Sequence, residues 1–302
     1  MTSTKFRGAF TALVTPMTDS WEVDFDGFRR LIEFQMAEGI DGIVPLGTTG
    51  ENPTLDVDEE EKLIEIAIKT AGGKIPVIVG ACSNDTRHMV QYVERAKRLG
   101  ADAALVVTPY YNKPNDDGLL HHFEAAGDVG IPIIVYNIAS RTGRNIPTPL
   151  MEKISKIPNL IGVKESSGDI NQIGDVIREV AAPRRAAGKD FFVISGDDAF
   201  TLPVAALGGD GVISVISNLL PAKVKALTQA AINGRLDEAR KLHYELLPFF
   251  KAAFVETNPV PIKQALNWAG LPAGPARLPL GKMALASEDV LRKAMVDLGI
   301  LK

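Results

Sequence analysis

Short apolar runs rich in β-branched residues alternate with helical segments along the first two-thirds of the chain. Segments 24–39 and 86–100 have apolar residues every three or four positions and end in glycine, which predicts helices. The eight apolar runs predict strands over residues 9–16, 42–47, 76–81, 103–109, 132–137, 160–165, 191–196 and 211–217. The pattern therefore predicts a repeated βα unit of about 25 to 30 residues.

The apolar runs do not alternate with polar residues, which is typical of parallel strands covered on both faces, and eight such strands predict a (β/α)8 TIM barrel. A doubly wound open sheet is the alternative, but segment 14–24, after the first strand, lacks the glycine-rich phosphate loop expected there. From about residue 220 only helical patterns occur. We predict a barrel over residues 1–225 and a C-terminal helical region over residues 226–302. Segment 181–190, rich in glycine and alanine, predicts a loop before the seventh strand.

Composition narrows the class of protein. Of 302 residues, 46% are apolar, and the formal net charge of −4 with dispersed basic residues predicts no nucleic-acid or membrane partner. Cys82 is the only cysteine, which excludes an intrachain disulfide and fits a reducing compartment. No signal-peptide pattern and no run of ~18 apolar residues occurs, so we predict a cytoplasmic protein.

Polar segments follow several of the predicted strands. In a (β/α) barrel the active site is built from the C-terminal ends of the strands and the loops after them. Candidate site residues therefore lie at Lys164 and within segments 47–51, 108–114, 136–143 and 195–199.

Lys164 comes at the end of the sixth predicted strand. Desolvation at a barrel mouth disfavours an ammonium ion, and a neutral amine attacks ketones to give imines that act as electron sinks. The alternative is a structural lysine whose amine reaches solvent or pairs with Glu165.

The other strand ends carry proton carriers and anion binders. Tyr136 and Tyr111 are candidate proton carriers, or else half-buried packing residues. Thr48 and Thr49, with nearby backbone amides, are suited to bind a carboxylate. The alternative is that they form an ordinary βα turn with no binding role. Arg141 is suited to grip a second carboxylate, or else is a solvated surface arginine.

Two further polar pairs have simpler interpretations. His121 and His122 lack partners at ligand spacing, so we predict no metal site. Asp197 and Asp198 form a carboxylate pair suited to magnesium or acid–base work, but we favour a helix cap before Ala199.

Motifs spread over nearly the whole chain resemble the dihydrodipicolinate synthase/N-acetylneuraminate lyase family. Each is weak alone, but their order is specific to that family. In chain order they are ALVTPM, GTTGE, TPYYNKP, YN…SRTG, GVKE, SGDD, GGDGVISV, NPVPIKQAL and RLPLG.

This resemblance implies a lysine-dependent barrel enzyme that uses pyruvate and needs no cofactor. It implies that Lys164 forms a Schiff base with the ketone carbon of pyruvate, while Thr48 and Thr49 receive the pyruvate carboxylate. It also implies a proton relay of Thr48, Tyr136 and Tyr111, with Tyr111 reaching into the site of a neighbouring subunit. The family commonly forms dimers of dimers, so we predict a homotetramer.

The second substrate follows from the same resemblance. Arg141 is implied to hold the carboxylate of L-aspartate 4-semialdehyde, and Gly196 and Ile213 are implied to complete the substrate-binding residues. The reaction implied is condensation of the two substrates in lysine and diaminopimelate biosynthesis. The alternative is an aldolase that cleaves N-acetylneuraminate or a 2-keto-3-deoxy sugar acid, although such relatives do not usually carry SRTG together with PYYN.

Feedback inhibition by lysine is a separate expectation from the resemblance. Asn84 and Tyr110 fit the lysine pocket of inhibited relatives. Val57, Glu60 and His88 replace residues typical of the sensitive bacterial enzymes. We therefore predict weak or absent inhibition by lysine.

Overall fold

A computed structural model describes residues 5–302 and shows eight parallel strands in one sheet. Each strand pairs with its neighbours in the chain, β1 pairs with β8, and a bridge between Ile43 and Val77 joins β2 to β3. The predicted (β/α)8 barrel is thus confirmed, and the alternative of a doubly wound open sheet is wrong. The strands are β1 Gly8–Ala12, β2 Gly42–Val44, β3 Ile78–Gly80, β4 Ala103–Val107, β5 Ile133–Asn137, β6 Leu160–Glu165, β7 Phe192–Ser195 and β8 Gly211–Ser214.

Helices follow the strands and continue beyond the barrel. They are α1 Phe25–Ala37, α2 Val57–Ala71, α3 Thr86–Leu99, α4 Asp116–Asp128, α5 Ala139–Thr142, α6 Thr148–Ser155, α7 Ile170–Asp175, α8 Ala182–Ala186, α9 Thr201–Ala206, α10 Pro221–Ile232, α11 Leu236–Ala252, α12 Val260–Trp268 and α13 Leu285–Asp297. The sequence encodes several of their ends. Asp85 caps α3 by accepting the Arg87 N–H, and Gly100 ends it with a φ of 92°, a left-handed conformation that glycine adopts without strain.

The predicted loop over residues 181–190 is partly wrong. A π-helical turn, Val176–Ala181, runs on from α7 and leads directly into α8. Alanine and arginine are good helix formers, and Pro183 lies at the start of α8, where its missing N–H costs little. Local composition therefore extends the helix into the segment that looked like a loop.

Apolar side chains fill the inside of the barrel and the layer between strands and helices. Phe10, Ile78, Leu105 and Ile213 lie in the interior cluster, and each is at most 1% exposed. A packed interior leaves space for a ligand only at the ends of the strands. No helix in the described part of the chain is long and apolar enough to span a membrane.

A buried ion pair connects the C-terminal helices to the loop after β2. The Nζ atom of Lys263, on α12, lies 2.6 Å from Oε1 of Glu51, and the two side chains are 2% and 1% exposed. Lys263 also donates to the backbone oxygens of Thr15 and Pro275, while the other Glu51 oxygen accepts the Arg277 N–H. Burial lowers the pKa of Lys263, and the charge of Glu51 opposes that shift.

Lys263→Met should lower the free energy of unfolding by about 3–5 kcal/mol, because it leaves the Glu51 carboxylate buried without its cation. Denaturant unfolding would measure this loss. Adding Glu51→Gln should restore part of the stability, since neither charge is then buried. If Lys263→Met alone is as stable as the wild type, the ion pair contributes little to the free energy of unfolding.

Candidate active site

A cavity of about 320 Å³ opens where the strands end, and it brings together residues from distant parts of the sequence. Six of the eight predicted site residues line it, namely Thr48, Thr49, Tyr136, Arg141, Lys164 and Gly196. The structure therefore brings these six residues together at the C-terminal ends of the strands.

Lys164 points into this cavity from β6. Its side chain is 6% exposed, and it pairs in register with Tyr136 on β5. The Nζ atom lies 4.1 Å from the centre of the Tyr136 ring. Among residues 5–302, no carboxylate oxygen lies within 4.0 Å of that amine. The amine is therefore buried beside an aromatic ring and without an anionic partner.

Glu165, the next residue of β6, does not pair with Lys164. Neighbouring residues of a strand point to opposite faces, so the two side chains diverge. The Glu165 carboxylate accepts hydrogen bonds from Asn137 Nδ2 at 3.1 Å and from the Ser167 N–H at 2.8 Å. Burial raises the pKa of Glu165, and the Asn137 bond opposes that rise.

Gly196, after β7, leaves room for the lysine side chain. A Cβ atom added at Gly196 would lie 2.8 Å from Lys164 Cε and would also collide with Ser166 Oγ. The Gly196 N–H donates to the Glu165 backbone oxygen at 2.9 Å, which keeps the two strand ends together. A larger side chain here would therefore force both Ser166 and Lys164 to shift.

Thr48 and Thr49 lie on a short 3-10 turn, Thr48–Gly50, that follows β2. Thr49 Oγ1 accepts a hydrogen bond of 2.9 Å from Asn258 Nδ2. Glu51, which ends this turn in the left-handed region at a φ of 57°, is the residue that Lys263 holds. The threonine wall of the cavity is thus anchored from the C-terminal part of the chain.

Arg141 reaches the cavity from α5, and it also lines a smaller neighbouring pocket together with Thr48. Its Nη2 atom donates to the backbone oxygen of Asn258 at 3.1 Å. Asn258 thus contacts both Thr49 and Arg141 and also lines the cavity. Sequence reasoning missed it as a site residue, although the NPVPIKQAL motif contains it.

Tyr111 and Ile213 are not among the residues that line the cavity. Tyr111, in the loop after β4, is 90% exposed and has a φ of 70°. Ile213 is fully buried inside the barrel on β8. The roles predicted for these two residues stay predictions.

The paired carboxylates after β7 belong to the local fold. Asp197 accepts the Ala199 N–H at 2.8 Å, which confirms the predicted cap. Asp198 accepts the Val215 N–H at 2.9 Å, and burial raises the pKa of Asp198 to about 6.

Of the two histidines, His122 is buried in the fold, whereas the His121 side chain is exposed. His122 Nδ1 lies 2.9 Å from Thr86 Oγ1, and burial lowers the pKa of His122 to about 4. Across residues 5–302, no group of three or more His, Cys, Asp or Glu side chains is arranged to hold a metal ion.

Comparisons with known proteins agree on one family. A model of the Dihydrodipicolinate synthetase family matches residues 5–297. A relative from Protochlamydia amoebophila, named 4-hydroxy-tetrahydrodipicolinate synthase, is 52% identical over 293 residues, which cover 97% of this chain and 96% of the relative. One from Methanosphaerula palustris, with the same name, is 44% identical over 280 residues, which cover 92% and 94%. The crystal structure of dihydrodipicolinate synthase from Aquifex aeolicus superposes with a TM-score of 0.93 at 43% identity and covers 98% of this chain and 99% of that one.

If pyruvate forms an imine on Lys164, as the family resemblance implies, Gly196→Ala should lower its trapping by borohydride about 100-fold, since the new Cβ atom would lie 2.8 Å from Lys164 Cε and shift that side chain. Mass spectrometry of the reduced protein would measure the adduct. Gly47→Ala is the matched control, because a Cβ atom at Gly47 meets nothing within 4 Å. Equal trapping by Gly196→Ala and wild type would mean that Lys164 does not need this space.

Proposed function

Because the chain belongs to the dihydrodipicolinate synthetase family, we propose that it condenses pyruvate with L-aspartate 4-semialdehyde through a Schiff base on Lys164. The observation that carries this proposal is the buried Lys164 amine, unpaired with any described carboxylate, in a cavity that also contains Arg141. The enzyme is a class I aldolase-type lyase of lysine biosynthesis.

The reaction begins at the Lys164 amine. The neutral amine attacks the ketone carbon of pyruvate, and loss of water from the carbinolamine gives a protonated imine. This imine withdraws electrons, so a proton leaves the adjacent methyl group and an enamine forms. The enamine carbon attacks the aldehyde of L-aspartate 4-semialdehyde. The amino group of that substrate then attacks the imine carbon, closes the ring and releases Lys164.

These steps move protons beside Lys164, and Tyr136 is the phenol closest to the imine position in the proposed relay. Its ring is in contact with the lysine amine. Thr48, which lines the same cavity, continues the relay in this proposal. Tyr111 is the third member of the relay and acts in the site of a neighbouring subunit, which suits its 90% exposure here.

Two anion-binding positions flank the lysine in this proposal. Thr48 and Thr49, with the amides of their turn, receive the pyruvate carboxylate. Arg141, which also lines the cavity, holds the carboxylate of the semialdehyde. Gly196 and Ile213 complete the substrate contacts through their backbone, since neither offers a polar side chain.

The proposed assembly is a homotetramer, a dimer of dimers. A relay that uses Tyr111 of a second subunit requires at least a dimer. The proposed location is the cytoplasm, which suits a chain whose single cysteine, Cys82, is free.

Arg141→Ala should lower kcat/KM for L-aspartate 4-semialdehyde about tenfold to a hundredfold, because a charge-assisted contact to its carboxylate is lost. The measurement is pyruvate-dependent consumption of the semialdehyde, coupled to the downstream reductase. Borohydride trapping of pyruvate should persist, because Lys164 is intact.

Arg144→Ala is the control for Arg141→Ala. Arg144 pairs with Asp116 and donates to the Pro114 backbone oxygen, and it does not line the cavity. The wild type could instead cleave a sugar acid to pyruvate and leave the semialdehyde unconsumed. That result would show that the proposed second substrate is wrong and that the sugar-acid aldolase alternative is right.

Lysine should inhibit this enzyme weakly or not at all. Val57 and His88 are exposed, and the Glu60 carboxylate already accepts hydrogen bonds from Asn52 and Arg95 at 2.5 and 2.6 Å. The Glu60 carboxylate therefore already has hydrogen-bond partners within its own subunit. A lysine titration of the coupled assay should leave more than half of the activity at about 1 mM, and half-inhibition below that concentration would contradict the proposal.

A further inference from the structure

A buried polar pair joins β5 and β6 one residue beyond Tyr136 and Lys164. Asn137 and Glu165 are partners in the strand register, and they are 0% and 1% exposed. Asn137 Nδ2 donates to both oxygens of the Glu165 carboxylate, at 3.1 and 3.2 Å. These bonds connect the ends of the two strands at the point where Tyr136 and Lys164 line the cavity.

This polar pair lies on a face of the two strands that is otherwise apolar. Because side chains alternate along a strand, Asn137 and Glu165 share their face with Val135 and Val163. Both valines are fully buried in the apolar layer between strands and helices. Replacing a buried polar pair by apolar residues of similar shape is often neutral or stabilising, so stability does not explain why this pair lies beside Lys164.

Two loops hold the pair from outside the strands. Asn137 Oδ1 accepts the Ile146 N–H at 3.0 Å, and Asn137 Nδ2 also donates to Asn145 Oδ1 at 2.9 Å. Both partners lie in the loop between α5 and α6. Glu165 Oε1 accepts the Ser167 N–H at 2.8 Å from the loop after β6. Every polar side-chain atom of the pair therefore has a hydrogen-bond partner, which restrains both side chains.

We propose that Asn137 and Glu165 are positioning residues that hold the Lys164 amine against the Tyr136 ring for attack on a ketone. This inference rests on the proposed Schiff base. Each residue of the pair directly follows one of the two residues that it positions, and the amine lies 4.1 Å from the ring centre. A displacement of about 1 Å at a reacting group costs about 100-fold in rate, so the bonds at the strand ends affect the chemistry without contact to the substrate.

Direct proton transfer is the competing role for Glu165. The residue lines the cavity, and burial raises its pKa. However, Glu165 and Lys164 point to opposite faces of β6, and both carboxylate oxygens already accept hydrogen bonds from Asn137. A carboxylate bonded in this way holds its neighbours in place, whereas a proton carrier needs an oxygen that reaches the imine.

The test measures imine formation with pyruvate alone. Borohydride is added at successive times after mixing, and mass spectrometry of the adduct gives the rate at each pyruvate concentration. Glu165→Leu removes the acceptors and should lower the limiting rate about tenfold to a hundredfold, while the half-saturating pyruvate concentration stays within about twofold of the wild-type value. Glu165→Gln keeps an acceptor for Asn137 and Ser167, so its limiting rate should stay within about threefold of the wild-type rate.

Asn137→Leu tests the pair from its other side. It removes the donor and should give a loss like that of Glu165→Leu. The double variant should lose no more than either single variant, since all three lack the same bonds. If the leucine variants do not fold, Asn145→Ala replaces them, because Asn145 is only partly buried and its oxygen restrains Asn137. Asn145→Ala should lower the limiting rate about threefold to tenfold, and a wild-type rate would then overturn the proposal.

Asp102→Asn is the matched control at the opposite end of the barrel. Asp102 directly precedes β4, and its carboxylate accepts the Val77 N–H at 2.7 Å, so it also connects the ends of two strands. This variant should lose thermal stability and keep the wild-type limiting rate. An equal loss of rate in Asp102→Asn would show that any weakened strand end slows the reaction, and the proposal would be wrong.

The remaining outcomes separate the positioning role from its alternatives. A Glu165→Gln rate as low as that of Glu165→Leu would make Glu165 a proton carrier. A folded Glu165→Leu or Asn137→Leu with the wild-type limiting rate would make the pair merely structural. Either result would overturn this inference and leave the proposed function intact. A wild type that traps no pyruvate would instead refute the proposed Schiff base itself.

Discussion

The walls of the active site depend on one buried ion pair, between Glu51 and Lys263. Removing two charges from water is expensive, and the attraction between them offsets that cost only when further hydrogen bonds satisfy the remaining donors and acceptors. Here Lys263 also donates to two backbone oxygens, and Glu51 also accepts the Arg277 N–H. Each charge therefore has several partners, and the pair connects the loop after β2 to α12.

The residues next to this pair form part of the cavity. Glu51 directly follows the turn that carries Thr48 and Thr49, and Lys263 lies on the helix that begins just after Asn258. The hydrogen bond from Asn258 to Thr49 then joins the two segments inside the cavity. The barrel supplies Lys164 and Tyr136 on neighbouring strands, and the C-terminal part of the chain contacts the threonine turn through Asn258 and Lys263. The helical region after the barrel is thus part of the site and not only a cover for the helical ring.

Sequence patterns predicted the features of the fold that depend on residues close together in the chain. The eight strands were predictable because each is a short apolar run between helical segments, and Lys164 stood out because an ammonium ends one of those runs. The importance of Asn258 was not predictable from its surroundings, since its partner Thr49 is 209 positions away. The same holds for Lys263 and Glu51, which are 212 positions apart and have no local signal of pairing. α8 was missed for a different reason, because Pro183 and the following Gly188 resemble loop residues when the preceding helical turn is not taken into account.

The charges around the cavity suit two anionic substrates. Lys164 and Arg141 are the cations that line it, and each carboxylate side chain on the wall already has donors from its own part of the chain. Glu165 accepts bonds from Asn137 and Ser167, and Asp197 accepts the N–H of its own helix cap. These bonds direct both carboxylates toward donors of their own part of the chain and not toward the lysine amine. The Lys164 amine and the Arg141 guanidinium are therefore left to a ligand in the cavity, as the proposed Schiff base and the proposed carboxylate contact both require.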